Sequence, residues 1–160
     1  MDKVFVDIDV IIDFLTDRKP FSEAAAKIFA LSEKGFLDLY ISSLSTSNIY
    51  YVLKRLESHH VALHLLERLS LLVTVLPVDG KIVYQALTSG FRDFEDALQN
   101  FTAVQLSSIH LILTRNVDDY KKSNLIILTP QEYLASIWIS LLVPSLTNCV
   151  ELKNDNNWMP

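Results

Sequence analysis

Short runs of β-branched and aromatic residues alternate along this chain with stretches spaced for helices, and that alternation restricts the fold more than any other feature. Residues 3–7 (KVFVD) spell a buried strand, and residues 10–16 begin a short helix. Phe21 to Lys34 has helical spacing, with Ser22 as N-cap, an apolar face of Ala25, Ile28, Phe29 and Leu31, and Gly35 as the stop. Further strands are expected at 39–42, 73–78, 109–114 and 125–128, and further helices at 45–56, 62–72, 82–87 and 95–105. A last helix opens with Thr129 as N-cap and Pro130 at its first position. Strands each followed by a helix build a parallel sheet covered on both faces. The expected fold is therefore α/β: a three-layer α/β/α domain with a central, mostly parallel five-stranded sheet over residues 1–140. Residues 141–160 read as a C-terminal extension whose polar end, Asn154 to Asn157, frays.

Half of the 160 residues are hydrophobic and 21% are charged, with three glycines and five prolines, which excludes a disordered, collagen-like or low-complexity chain. One cysteine, Cys149, excludes an intramolecular disulfide framework and a Cys-rich zinc module, and a single thiol fits a reducing compartment. The net charge of −5 argues against a surface that coats nucleic acid by charge alone, although a local basic rim stays open. Asp7, Asp9 and Asp13 interrupt the first apolar stretch, so it does not read as a signal peptide. The apolar stretch from Ile137 to Leu146 contains Pro144 and falls short of the roughly 20 residues a membrane helix needs. No membrane association and a cytoplasmic setting are expected. The glycines are isolated, which excludes P-loop and dinucleotide fingerprints.

In open α/β sheets ligands sit beyond the carboxyl ends of the strands, so polar groups that follow different strands should meet at one edge. Asp7 closes the first strand. A carboxylate there is costly unless compensated, either by capping the next helix or by a divalent cation. Asp93, Glu95 and Asp96 open a helix; one of them caps it, and the rest either favour the helix dipole or share a hard cation. Asn116, Asp118 and Asp119 follow the fourth strand, where they are solvated and capping groups or ligands of Mg²⁺ or Mn²⁺.

Taken together, these clusters resemble the PIN domain family, in particular its small prokaryotic single-domain members, which include ribonuclease toxins of toxin–antitoxin pairs. Residues 4–13 (VFVDIDVIID) are similar to the opening strand and helix, 93–99 (DFEDALQ) to the central acidic helix start, 114–120 (TRNVDDY) to the T-R-N-x-x-D-F segment, and 129–134 (TPQEYL) to the usual end. The resemblance covers about residues 3–135. It implies a PIN-like sheet and a Mg²⁺- or Mn²⁺-dependent endoribonuclease, the toxin of such a pair, with RNA as substrate, an antitoxin as partner and a homodimeric state. Carried over by motif, Asp7, Asp96 and Asp119 are metal ligands, with Asn116 beside them in the catalytic set. Asp9, Asp93, Glu95, Asn48 and Thr114 are supporting residues.

The chain departs from the family pattern at two places. Asp9 stands where the opening motif has Asn, and Asn48 stands where many relatives carry Glu. A neutral amide binds a hard cation more weakly than a carboxylate. A PIN-like RNA- or protein-binding module with weakened catalysis is therefore the alternative function. Arg115 and Lys121 are the expected RNA-backbone contacts, with Arg18, Lys19, Lys54, Arg55 and Lys122 as further cations. His59, His60 and His64 read as an exposed face, His110 as a hydrogen-bonded structural residue, and Tyr50 and Tyr51 as core or base-stacking groups. The apolar stretch 137–143 suggests self-association.

Overall fold

The computed structural model describes residues 2–137. Strands β1 (Asp2–Val6), β2 (Leu37–Ser42), β3 (Val73–Leu76), β4 (Ile109–Leu113) and β5 (Ile126–Leu128) form one sheet in the order β3-β2-β1-β4-β5. Every neighbouring pair is parallel, so the sheet is wholly rather than mostly parallel. Between the strands run α1 (Ile8–Leu15), α2 (Ser22–Glu33), α3 (Ser43–Leu56), α4 (His59–Ser70), α5 (Gly80–Thr88), α6 (Phe94–Val104) and a short 3-10 helix, Val117–Tyr120. Residues 130–137 form a further helix, α7. Among the described residues no helix is long and apolar enough to cross a membrane.

Period-two alternation divides the sheet between two cores. Val4, Val6, Leu39, Ile41, Leu111 and Leu113 face one way, packing with Ile11, Ile28, Ile49 and Leu53. Phe5, Tyr40, Ile109 and Ile112 face the other, against Ala103 of α6 and Tyr120 of the 3-10 helix. Both faces are covered, which gives the three layers expected.

Helix ends follow their sequence signals where a side chain can reach the backbone. Gly35 takes φ +76 after α2, a conformation in which a side chain is disfavoured. Thr129 and Glu132 exchange a reciprocal capping box at the start of α7: the Thr129 amide donates to Glu132 Oε2 (2.8 Å) and the Glu132 amide donates to Thr129 Oγ1 (3.2 Å). Two expectations are corrected. Ser22 is not the N-cap of α2: Phe21 holds that position without a side-chain bond, and Ser22 is a buried first residue of the helix. The entry is instead set by the backbone, with the Phe21 and Ser22 amides both donating to the Arg18 carbonyl at 3.0 and 2.9 Å. Nor is His110 a hydrogen-bonded structural residue. The β1–β4 register steps from Lys3↔Ile109 to Val4↔Leu111, which makes His110 the extra residue of a bulge and leaves it exposed. His59, His60 and His64 are exposed, as expected. The apolar stretch beyond Ile137, Cys149 and the extension 141–160 lie outside the described residues.

The chain winds outward from β1 to β2 and β3, then returns to place β4 on the other side of β1. The order thus reverses between β1 and β4, and the crevice at their carboxyl ends is where such a sheet accepts a ligand. Ile112 is fully buried in the sheet beside that crevice. Ile112→Ala is expected to lower unfolding free energy by about 2–5 kcal/mol in urea denaturation with an unchanged slope; a loss under about 1 kcal/mol contradicts this packing.

Candidate active site

Asp7 and Thr114 leave the two central strands side by side: the Asp7 amide donates to the Leu113 carbonyl at 2.9 Å. Asp7 occupies the N-cap position of α1, but its side chain makes no capping bond. Both of its oxygens are instead held from remote parts of the chain. Gln99 Nε2 of α6 donates to Oδ1 at 2.8 Å, and Thr114 Oγ1 donates to Oδ2 at 2.6 Å. Thr114 also accepts the Asn116 amide at 3.0 Å, which ties the turn after β4 to the same carboxylate.

Asp93 is the cap that Asp7 is not. Its Oδ1 accepts the amides of Glu95 (2.8 Å) and Asp96 (3.3 Å), which fixes the start of α6. Gln99 lies three positions after Asp96, so both lie on one helical face. Across the gap from α3, Asn48 Nδ2 donates to Glu95 Oε1 at 2.8 Å. The neutral residue that breaks the family pattern therefore holds a carboxylate from the neighbouring helix.

These groups surround one open cleft of about 400 Å³, lined by Asp7, Ile8, Asp9, Arg92, Asp93, Glu95, Asp96, Gln99, Asn116 and Asp119. The expected ligands Asp7, Asp96 and Asp119 share its walls with Asn116, Asp9, Asp93 and Glu95. Asn48 and Thr114 stand behind as supports. Among the described residues, no group of three or more His, Cys, Asp or Glu side chains converges closely enough to hold a metal ion as placed.

Two of the expected RNA contacts have carboxylate partners within the chain. Arg115 lies between Asp9 (3.1 Å) and Asp13 (3.3 Å), with its guanidinium over the Phe21 ring at 4.7 Å. Asp13 is 1% exposed, so Arg115 is a strut that fastens the turn after β4 to α1. Lys121 pairs with Asp118 at 2.9 Å on the surface. Sequence reasoning missed Gln99 and Arg92. The three-residue step from Asp96 is the signal that puts Gln99 on the site face, whereas nothing in the sequence singles out Arg92 among exposed cations.

Like charge dominates the electrostatics. Burial pushes the Asp7 carboxyl up, against the Thr114 and Gln99 bonds, and the Asp9 charge adds to the rise. Asp96 is pushed up to about 7, first by desolvation and then by Asp7, Asp93, Asp119 and Glu95. Burial, then the charges of Asp7 and Asp96, hold the Tyr120 phenol neutral far above its usual range. The donors lining the cleft are oxygens of carboxylates and amides, with no His or Cys among them. That donor chemistry, with its unrelieved like charge, fits a hard divalent cation.

Because folded Asp96 keeps its proton up to about pH 7, the folded state loses ground as pH rises from the ordinary carboxylate range to that point. In EDTA, Asp96→Asn is expected to gain melting temperature over the parent progressively between about pH 4 and 7, then hold a constant gain. Thermal melts across that range check it, and an advantage independent of pH contradicts it.

The chain matches the family model described as PIN domain over residues 3–118. It is similar to Ribonuclease VapC1 of Aquifex aeolicus, with 26% identity over 137 residues, covering 82% of this chain and 93% of that relative. Among solved structures, VapBC2 from Rickettsia felis, bound to a DNA fragment from its promoter, aligns with TM-score 0.63 and 11% identity over 79% of this chain and 98% of that one. VapC20 of Mycobacterium tuberculosis, described as a sarcin-ricin loop cleaving toxin, aligns with TM-score 0.54 and 19% identity, covering 68% and 86%. At these identities the structural likeness speaks for the fold, while the family match spans most of the chain and includes Asp7, Asp96 and Asn116. With its all-parallel sheet and its acidic cleft at the β1–β4 crevice, the chain belongs to the PIN domain family.

Proposed function

We propose that this protein is a Mg²⁺- or Mn²⁺-dependent endoribonuclease acting as the toxin of a toxin–antitoxin pair. The observation that carries the reading is the cleft itself: six carboxylates from separate segments face one space at the sheet's switch point. The similarity to a relative named as a ribonuclease and to structures of VapBC complexes supports the activity and the antitoxin partner. A homodimer and a cytoplasmic setting complete the proposal.

Asp7, Asp96 and Asp119 would hold the cation, with Asn116 bound directly or through water and Glu95 adding charge. When bound, such an ion polarises the phosphodiester, activates a water and stabilises the leaving oxygen in an in-line displacement. The protein supplies the positions. Gln99 and Thr114 fix the Asp7 carboxylate at both oxygens, and Asp93 fixes the turn that presents Asp96. Asn48 keeps Glu95 at the cleft, which favours the enzyme over a weakened binding module, because the acidic charge missing from α3 is supplied by α6.

With Mn²⁺ and a generic single-stranded RNA, the full chain is expected to cleave, and Asp7→Asn and Asp96→Asn each to abolish cleavage. Asn48→Ala is expected to weaken Mn²⁺ binding and slow cleavage by about 10-fold, since partners behind metal ligands contribute roughly 10–100-fold. Calorimetry and gel assays check both. Cleavage that persists in the Asp7 and Asp96 variants, or absence of Mn²⁺ binding at neutral pH, overturns the proposal.

A further inference from the structure

We propose that Arg92 binds a backbone phosphate of the RNA strand next to the one placed at the acidic cleft, an inference that rests on the ribonuclease reading above. Among the described residues that line the cleft, Arg92 is the one cation. It is exposed, and among the described residues it makes no ion pair or hydrogen bond, although it stands beside Asp93 and near Glu95 and Asp96.

The cations of the turn after β4 do not line the cleft and have partners elsewhere: Arg115 lies between Asp9 and Asp13, Lys121 pairs with Asp118 on the surface, and Lys122 Nζ donates to the Gly90 carbonyl. A chain of net charge −5 meets a polyanion through whatever positive charge is left at the contact. At this cleft that charge is a guanidinium, whose planar donors match phosphate oxygens.

The segment carrying Arg92 is anchored rather than loose. Gly90 takes φ +69, a conformation that opposes a side chain there. The Phe91 amide donates to Ser89 Oγ at 3.2 Å, and its ring meets Phe101 and Tyr120 edge-on at 6.2 and 6.4 Å. These contacts join the loop before α6 to the 3-10 helix, so Arg92 and Asp119 flank the same opening from tied segments. Once a divalent ion has offset the carboxylates, Arg92 is left facing substrate.

The test is anisotropy of a labelled single-stranded RNA with the full-length, non-cleaving Asp96→Asn protein in Mg²⁺ over a KCl series. Adding Arg92→Ala is expected to weaken binding about tenfold and to reduce the slope of log affinity against log salt by about 0.7, the loss of one single-strand phosphate contact. Arg92→Lys should keep the slope and lose only part of the affinity. Lys27→Ala, on the exposed Lys27–Glu23 pair of α2, which does not line the cleft, should change neither. Unchanged affinity and slope in Arg92→Ala overturn the inference alone. A lower melting temperature in EDTA beside that unchanged binding would assign Arg92 to the carboxylates as their counter-charge. Failure of both the Asp96→Asn protein and the parent chain to bind RNA overturns the ribonuclease reading and the inference with it.

Discussion

The Asp7 carboxylate, 5% exposed at the end of the central strand and gripped at both oxygens, is the constraint on which the rest of this structure depends. Burying a carboxylate is costly, and two hydrogen bonds offset only part of that cost. Its carboxyl is pushed up even with both bonds in place. The fold concentrates this expense at the one point where strand order reverses, and it brings α6 and the turn after β4 there to share it. Gln99 and Thr114 therefore have two effects at once. They make the burial tolerable, and they aim the carboxylate by fixing which way its oxygens face.

The remaining acidic groups are sorted by their neighbours into distinct roles. Asp93 spends its charge on backbone amides, Asp9 and Asp13 on Arg115, and Glu95 is held by an amide from α3. Asp96 has no such partner among the described residues and takes the repulsion of four carboxylates, which leaves its proton in place to about pH 7. A site whose least-compensated group lies at its centre is poised to exchange a proton for a cation, because either relieves the same repulsion.

Much of this was readable from the sequence. Local features carried the fold: period-two strands, helical spacing and turn residues placed all five strands, and Gly35 and Thr129 marked helix ends at the residues observed. The carboxylates that line the cleft follow strands or open a helix, positions that chain order alone predicts to converge in a parallel sheet. What was not readable is long-range pairing. The Asn48–Glu95 bond joins residues 47 apart and the Gln99–Asp7 bond residues 92 apart; helical spacing puts Gln99 on the site face, but no local feature names the partner of either residue. Arg115 looked like a surface cation because its partners on α1 become neighbours only in the fold. His110 looked buried because a bulge does not show in hydropathy.

The central claim is that these carboxylates jointly hold one class of ion, and a crystal of the full chain grown with MnCl₂ tests it most directly. Anomalous scattering is expected to place manganese inside the cleft within coordination distance of Asp7, Asp96 and Asp119, at about 2–2.5 Å from their oxygens. Density with no manganese in that cleft, or with manganese only at surface carboxylates elsewhere, would contradict the account.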